Sequence, residues 1–530
     1  MGRARKAAIG AAFIYGQYGL AIVSGIVLVP MTLAYIGARN WGLWLAGCEV
    51  LNYGGMLDLG VLSVLPWLFA EAHGRRDRAA MQRLVSHGLW LGIIVSLFVF
   101  GVMTVAWRVL PSRLFLTAAD VAVVGPPLAL MVVLSTIYSP LGVFRAVLES
   151  QQDVTYVGTV TILKGLLAVI LTVVLLVAGY GLYALALAAA LPSFAMLIAF
   201  AIRARAIAPD LRPSLLRPTR EELRPLFANG VGSWLSDVGW QMLNASTGIV
   251  ITYLGNPGWV AVYACTSKLG GMSMNLAWVL PDSGQIGLAQ LFGEGQPARR
   301  LRDVVGMMLK LHLLFAGIAA IGLLMFNPAF VTRWVGITMF HGIRLNAVLA
   351  VGVVLFSIVH GLITSAAVLG NRLQVGVVIF VNGLLQAALA VVLGHRLGLM
   401  GVPVAALVAS AVTALPAGIW LVGRPTGITA RWLMTDLIRP WLPRFLPIAA
   451  LAFAGGLLYL RIGLWTSSVA AAALCLLYAW HMRPLYSSLP LDRRVTDVLV
   501  RFRLIPKPAL ASIDPVSSVG GVVQIDEARP

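Results

Sequence analysis

The sequence predicts an all-α integral membrane protein: about 14 transmembrane helices, in two parallel-repeat six-helix lobes around a central cavity plus two extra C-terminal helices. Three observations carry that expectation. Hydrophobic residues make up 59% of the 530 and charged residues only 11%, a balance that ordinary water-soluble domains do not have. Apolar runs of about 20 residues, the length that crosses a hydrocarbon core of about 30 Å, recur along the whole chain. One apolar phrase is written twice: "KGLLAVILTVVL" at 164–175 and "NGLLQAALAVVL" at 382–393 agree at seven of twelve positions, with an offset of 218.

The spans follow in order. Span 1, at 9–36, trails the basic opening "MGRARKAAIG"; its apolar region is too long for a signal peptide and lacks a small-residue cleavage site, so it reads as a retained helix. Spans 2 to 6 are expected at 41–71, 84–108, 121–148, 154–178 and 180–202. Spans 7 to 12 are expected at 226–254, 258–284, 304–326, 345–368, 374–394 and 399–422. Spans 13 and 14, at 445–460 and 464–482, close the series, the former carrying Pro447. Spans 1, 2, 4 and 7 exceed a bilayer and should tilt or project into water. Helices are the expected form because each satisfies its own backbone inside lipid.

Most of the 39 Lys and Arg residues fall in alternate connections, including Arg75, Arg76, Arg78 and Arg83 after span 2 and Arg203 to Arg224 after span 6. Basic loops stay cytoplasmic, so both termini are expected inside, in the cytoplasmic (inner) membrane of a bacterium. The same distribution accounts for the net charge of +19 without a nucleic-acid partner. Cys48, Cys265 and Cys475 all lie in spans, which argues against a disulfide frame or a cysteine zinc site.

The echo at 164 and 382 has company. "YIG" at 35–37 answers "YLG" at 253–255, "GL" at 181–182 answers "GL" at 398–399, and "RLV" at 83–85 answers "RDV" at 302–304. A common register implies duplication, and an even number of spans per copy makes the repeats parallel, with a cleft between them. The expected division is an N-lobe at 1–203, a basic cytoplasmic linker at 204–225, a C-lobe at 226–423, helices 13 and 14 at 424–482, and a tail at 483–530. The tail begins with "RRVTDVLVRFRL", which suits the inner leaflet surface, and then loses periodicity.

Ionisable residues within spans are costly, so they are expected to face a wet cavity or one another. The candidate cavity cations are Lys164, Lys268, Arg145 and Lys310. Candidate polar or ion-coupling residues are Glu49, Asp58, Asp237, Gln241, Asn244, Asn275 and Asp282. Asp237, Gln241 and Asn244 share one helical stripe; Lys268, Asn275 and Asp282 repeat every seven residues on another. Arg145 reads equally well as the i,i+4 partner of Glu149. Lys164 has no acid at helical spacing on its own helix, and its repeat-equivalent is Asn382, so the charge is present in one lobe alone. Buried cations suit an anionic cargo such as a diphosphate, and the acids are candidates for H+ or Na+ coupling. His360 in span 10 is a further titratable group. No G-x-x-x-x-G-K-[ST], H-E-x-x-H or G-x-S-x-G motif occurs, so neither ATP hydrolysis nor hydrolase chemistry is expected, and no cofactor is implied.

The stretch "LVPMTLAYIGARNWGLWLAGCEVLNYGGMLDLGV" resembles the helix 1 to 2 region of polysaccharide flippases of the multidrug/oligosaccharidyl-lipid/polysaccharide transporter superfamily. "FRAVLESQQDV" is similar to that family's helix 4 to 5 junction and "LGHRLGLMGVPVAALVAS" to its helix 11 to 12 junction. The resemblance implies two lobes that alternate between inward and outward openings while moving a polyprenyl-diphosphate-linked oligosaccharide across the membrane. It also implies membrane lipids, a polysaccharide polymerase and a chain-length regulator as candidate partners. After Asp-Leu-Gly the family often has an Arg, whereas this chain continues "VLSVLPWLFAEA", so no cation carries over there. Two alternatives stand beside this reading. A cation-coupled drug exporter of the superfamily usually carries an acid in helix 1, and span 1 here has Tyr15, Gln17, Tyr18 and Ser24 instead. A membrane polysaccharide polymerase or ligase usually carries a large outer loop; here the longest, about 327–344, holds Arg333, His341 and Arg344.

Overall fold

Helix α1 (Arg3–Ile36) ends at Gly37, whose φ of +81° turns the chain through the left-handed region that glycine adopts freely. The return helix α2 (Ala38–Gly54) begins at once. This side of the bundle is called the Gly37 end below. The first half continues with α3 (Arg78–Arg113), α4 (Ala118–Tyr138), a 3-10 turn at Ser139–Gly142, α5 (Val143–Ser150), α6 (Val154–Val177) and α7 (Leu182–Ile207). The second half comprises α8 (234–244), α9 (Thr247–Tyr253), α10 (Gly258–Asp282), α11 (Gln285–Gly293), α12 (Ala298–Met325) and α13 (Asn327–Val335). It then runs through α14 (Ile343–Leu369), α15 (Arg372–Leu397), α16 (Gly401–Val412) and α17 (Ala414–Thr426). A π-helical turn at Leu433–Ile438 leads into α18 (Arg439–Leu457), and α19 (Leu464–Tyr486) follows.

This computed structural model describes residues 3–54, 56, 65–66, 68–69, 72, 75–114, 116–211, 234–244, 246–370 and 372–486. Asp58, most of the 204–225 linker and the tail from 487 lie outside the described residues. Among the described residues, ten helical stretches are long and apolar enough to cross a membrane, which makes this a multi-pass, all-α membrane protein. One of the ten, Arg372–Thr426, is 55 residues long and joins predicted spans 11 and 12 through the 3-10 turn Gly398–Met400. α2, α8 with α9, and α10 are not among the ten. They are the helices that carry Glu49, Asn244 and Lys268: α2, α8 and α9 are each shorter than a membrane span within the described residues, whereas α10, at 25 residues, is long enough but too polar.

The structure breaks several spans that the sequence presents as continuous. Span 4 is interrupted at Pro140, which lacks the backbone N–H that a continuing helix needs. Span 7 breaks between residues 244 and 247, and span 8 after Asp282, where Gly284 separates α10 from α11. Span 12 divides at Thr413, and the predicted loop at 327–344 is largely helical, as α13. Pro328 occupies the first turn of α13, where its fixed φ favours helix and its missing N–H is harmless.

Equivalent helices make equivalent contacts in the two halves. α6 packs on α1, where a Cβ at Gly165 would lie 2.7 Å from Leu20 Cδ2. α15 packs on α8, where a Cβ at Gly383 would lie 2.7 Å from Met242 Cβ and 2.9 Å from the Gly239 carbonyl oxygen. The duplicated Lys-Gly and Asn-Gly pairs therefore both mark a close helix crossing, where small residues let backbones approach. Each half also has its own apolar core. Leu65, Phe69, Val85, Val147 and Phe200 form one in the first half, and Leu309, Leu313, Ile321, Leu362 and Val422 belong to one in the second. A third core joins the halves at the Gly37 end, with Val29, Trp41, Trp44 and Val124 against Ala261, Cys265, Val331 and Phe340. α18 and α19 pack on α12, where the buried Tyr478 hydroxyl donates to the Leu313 carbonyl (3.2 Å) and accepts from Trp441 Nε1 (2.8 Å).

Candidate functional site

The seam between the halves is built from α1 and α2 on one side and α8, α9, α10 and α13 on the other. Breaking span 7 frees backbone N–H groups after the break and carbonyls before it, and inside a membrane both sets need partners. Glu49 of α2 supplies the acceptors: its two carboxylate oxygens accept from the N–H groups of Gly248 and Ile249, each at 2.9 Å. Gly248 makes the approach possible, since a Cβ there would meet the carboxylate at 2.9–3.0 Å. On the carbonyl side, Gln386 Nε2 of α15 donates to Leu243 (3.0 Å). The hydroxyls of Tyr53 and Ser246 add a further bond between α2 and the break, and Trp234 Nε1 of α8 donates to the Met56 carbonyl (2.6 Å). A negative side chain at a helix N-terminus is favoured by the aligned peptide dipoles as well as by the bonds themselves.

Two further contacts close the Gly37 end. Gly42 of α2 lies directly against the carbonyl oxygen of Pro257, leaving no room for a side chain. Trp334 Nε1 of α13 donates to the Ile26 carbonyl of α1 (2.7 Å). α13 is itself anchored by buried amides: Asn327 Nδ2 donates to the Thr266 carbonyl (2.9 Å) and to Asn346 Oδ1 (2.8 Å), while Asn346 Nδ2 donates to the Leu323 carbonyl (2.8 Å).

Lys268 projects from α10 into this seam. Its Cε and Nζ would lie 3.0 and 3.1 Å from a Cβ at Gly25 of α1, so the ammonium group packs in the space that this glycine leaves. It is half-buried and has no ion pair or hydrogen bond among the described residues. Lys164, also half-buried and unpaired among them, is on α6, whose neighbouring residue Gly165 faces α1.

The other predicted cations are placed differently. Arg145 donates through Nε to Glu149 at 2.7 Å, with the two side chains half-exposed, so its charge is matched within its own helix. Lys310 lies on the turn of α12 whose carbonyl accepts from Tyr486 of α19 (3.0 Å), beside the C-terminal helices. No contact gathers the four cations at one point among the described residues.

Below the seam, the second half holds a cavity of about 310 Å³ lined by Asn244, Ser267, Trp278, His360, Asn382 and Ser410 among others. Asn382, the repeat-equivalent of Lys164, is buried there; it accepts from the Thr413 hydroxyl at 3.0 Å and donates to Ser410 at 3.4 Å. Asn244 Nδ2 donates to the Trp240 carbonyl (2.7 Å). Gln241 Nε2 is buried without a hydrogen-bond partner among the described residues. Asp237 and Asn275 are exposed. Asp282 faces two imidazoles, His360 at 2.9 Å and His312 at 3.7 Å. Among the described residues, no group of His, Cys, Asp and Glu is arranged to hold a metal ion.

Sequence reasoning did not find Ser246, Gln386, Asn327, Asn346, Trp334 and His312. Each acts across a helix crossing or a break that periodicity does not display. The one local signal was "NPAF" after an apolar run, a helix-start pattern inside a stretch expected to be loop.

With this geometry in view, the likeness to known proteins has a frame. The MatE family model matches residues 20–174. No curated protein matches the sequence. The fold is shared with the lipid II flippase MurJ in an inward closed conformation, at a TM-score of 0.66 and 12% identity, over 88% of this chain and 98% of that one. It is shared with an inward-facing multidrug resistance MATE family transporter of the MOP superfamily, at a TM-score of 0.61 and 17% identity, over 78% of this chain and 94% of that one. An outward-facing MATE family transporter of the same superfamily gives a TM-score of 0.55 at 16% identity, over 80% of this chain and 96% of that one.

Proposed function

We propose that the chain is a transporter, not an enzyme, that flips a polyprenyl-diphosphate-linked oligosaccharide from the cytoplasmic to the periplasmic leaflet of a bacterial inner membrane, for surface polysaccharide biosynthesis. In this reading both termini are cytoplasmic and the Gly37 end is periplasmic. The lobes divide near 203 and 226, and the seam centred on Glu49 is the closed outer gate of an alternating-access cycle.

The observation that carries the reading is Lys268, an ammonium group held between α10 and α1 with no protein counter-charge among the described residues. Even a half-buried cation without a partner is costly inside a membrane, and a diphosphate passing between the lobes would supply the missing charge. Lys164, on the helix that packs against the other side of α1, is the second contact. The MurJ-like fold agrees with a lipid-linked cargo, and membrane lipids, a polymerase and a chain-length regulator are the partners that such a cargo implies.

The test is flipping of a labelled lipid-linked saccharide in proteoliposomes. Loss of one charge-assisted contact of about 1.5–3 kcal/mol corresponds to roughly 10- to 100-fold, so Lys268→Ala is expected to slow flipping by that range. An unchanged rate in the Lys164→Ala/Lys268→Ala double variant overturns the assignment. The MatE match also favours a second reading, a cation-coupled drug exporter. Drug resistance conferred by expression, with no accumulation of a lipid-linked intermediate on deletion, would select it.

A further inference from the structure

Three titratable side chains from three helices meet where α10 ends. Asp282, the last residue of α10, directs Oδ2 to His360 Nε2 of α14 at 2.9 Å, while Oδ1 lies 3.7 Å from His312 Nε2 of α12. The imidazole rings are themselves edge-on, with centroids 5.6 Å apart. His312 is 0% exposed and His360 12%, whereas Asp282 remains 34% exposed. Asp282 Oδ1, both ring nitrogens of His312 and Nδ1 of His360 are buried without a hydrogen-bond partner among the described residues. Natural proteins rarely leave four such atoms together without a reason, and a site that changes protonation is one.

We propose that Asp282, His312 and His360 form a proton-binding site at the break between α10 and α11, in which an added proton draws both imidazoles onto the shared carboxylate. The proton enters from water through the exposed face of Asp282 and resides on imidazole. The imidazolium then makes with Asp282 the charge-assisted bond that His312, at 3.7 Å, lies too far away to make now. Because Asp282 ends one helix and Gln285 begins the next, tightening this cluster acts on a hinge. Gln285 Nε2 already ties α11 to α14 through Thr364 (2.9 Å). His360 also lines the 310 Å³ cavity, so the cluster is in contact with the space beneath the gate.

The other charged groups on the surrounding elements are few. Lys268, on α10, is four turns nearer the Gly37 end; Lys310, on α12, is two residues from His312 and so points to another side of that helix. α8 contributes the edge of the Trp240 ring, 6.1 Å from His360, with Asp237 one turn earlier; α11 contributes Gln285, which does not ionise. Arg299, Arg300, Arg302 and Asp303 belong to the first turns of α12, and Arg344 to the first turn of α14.

The structure also supplies a reporter. Trp278 is stacked on His360, with centroids 3.9 Å apart and planes within 4°, and its Nε1 is held by the Ser357 hydroxyl (2.9 Å). Charging an imidazole against an indole face strengthens the stacking and quenches the indole's emission. The expected result is an acid quench in the purified full chain that is absent from both Trp278→Phe and His360→Gln. In Asp282→Asn the acid quench should differ from that of the wild type, because the carboxylate that the imidazolium would bond is gone. A quench identical in wild type, Trp278→Phe and Asp282→Asn overturns the proposal. If Trp278→Phe fails to fold, carbon-13 histidine resonances of the wild-type chain, assigned through His312→Gln and His360→Gln, decide the matter: the two must titrate together, and independent titration overturns it. Coupling of this site to transport rests on the function proposed above and has its own arm. Flipping driven by an imposed pH gradient is expected to fall at least tenfold in Asp282→Asn, and an unchanged gradient dependence overturns the coupling. The fluorescence arm uses no cargo, so failure of the proton site and failure of the flippase reading are told apart.

Discussion

Replacing Glu49 by glutamine tests whether the seam at the Gly37 end is a gate. The carboxylate accepts two backbone N–H groups at 2.9 Å each, and hydrogen bonds to a charged group contribute about 1.5–3 kcal/mol apiece. Glutamine keeps one acceptor oxygen and places an NH₂ group opposite the second N–H, so at least one bond is lost. A net loss of about 2 kcal/mol raises the population of the open seam roughly 30-fold, provided α2 and α9 separate when it opens. Cys265 reports that population: it is 0% exposed and sits in the core that joins the halves. In a background with Cys48 and Cys475 replaced by alanine, the rate of Cys265 modification by a membrane-impermeant maleimide is expected to rise about 30-fold in Glu49→Gln. A rate within about twofold of the parent, in a chain with an unchanged unfolding midpoint, refutes the gating role.

Two further substitutions probe the frame around the seam. Gly42→Ala forces a methyl group against the Pro257 carbonyl oxygen and is expected to destabilise the chain by about 1–3 kcal/mol, read as a lowered thermal unfolding midpoint; an unchanged midpoint would mean that α2 and the turn before α10 are not in tight contact. Exchanging the repeat-equivalent residues should have unequal effects on stability in the two halves. Asn382→Lys buries an ammonium group where the native side chain is 2% exposed and bonded to Thr413 and Ser410, at a cost of about 3–5 kcal/mol. Lys164→Asn should leave the unfolding midpoint in place while slowing transport, and equal midpoints for the two variants would contradict the asymmetry.

The helices were legible because lipid demands long apolar runs and because their ends carry charge or glycine. The breaks were not. Nothing in the periodicity of "GWQMLNASTGIVITYLG" says that the helix stops at 244, because the residues that stabilise the break, Glu49 and Gln386, lie about 200 positions before it and 140 after it in the sequence. Asn244 and Asp282 were identified as polar groups worth following, yet Asp282 gains its meaning from His312, which lies in an apolar stretch on another helix and has no local signature. Arg145 and Glu149 illustrate the opposite case: the i,i+4 spacing visible in the sequence is the pair the structure contains. Lys268 was marked by its charge alone, and its placement against Gly25 required the fold.

The two halves repeat one packing scheme but place their helix breaks differently, the first half at Pro140 and the second at spans 7, 8 and 12. In the first half α1 runs unbroken for 34 residues. Its repeat partner is cut into α8 and α9, and α10 separates from α11 at Gly284. The second cut keeps backbone bonds through Ser283 and Gly284, whereas the first frees N–H groups whose acceptor is Glu49, borrowed from the other half. A bond made to backbone across the seam can be released without unfolding a helix, since the helix is already interrupted there. These two cuts give the second half places to bend, and the Asp282 cluster lies beside the second of them. The unpaired Lys268 projects from the helix between the two cuts, so any change in either break moves the cation relative to α1. A single rigid bundle with the same composition would hold that charge still.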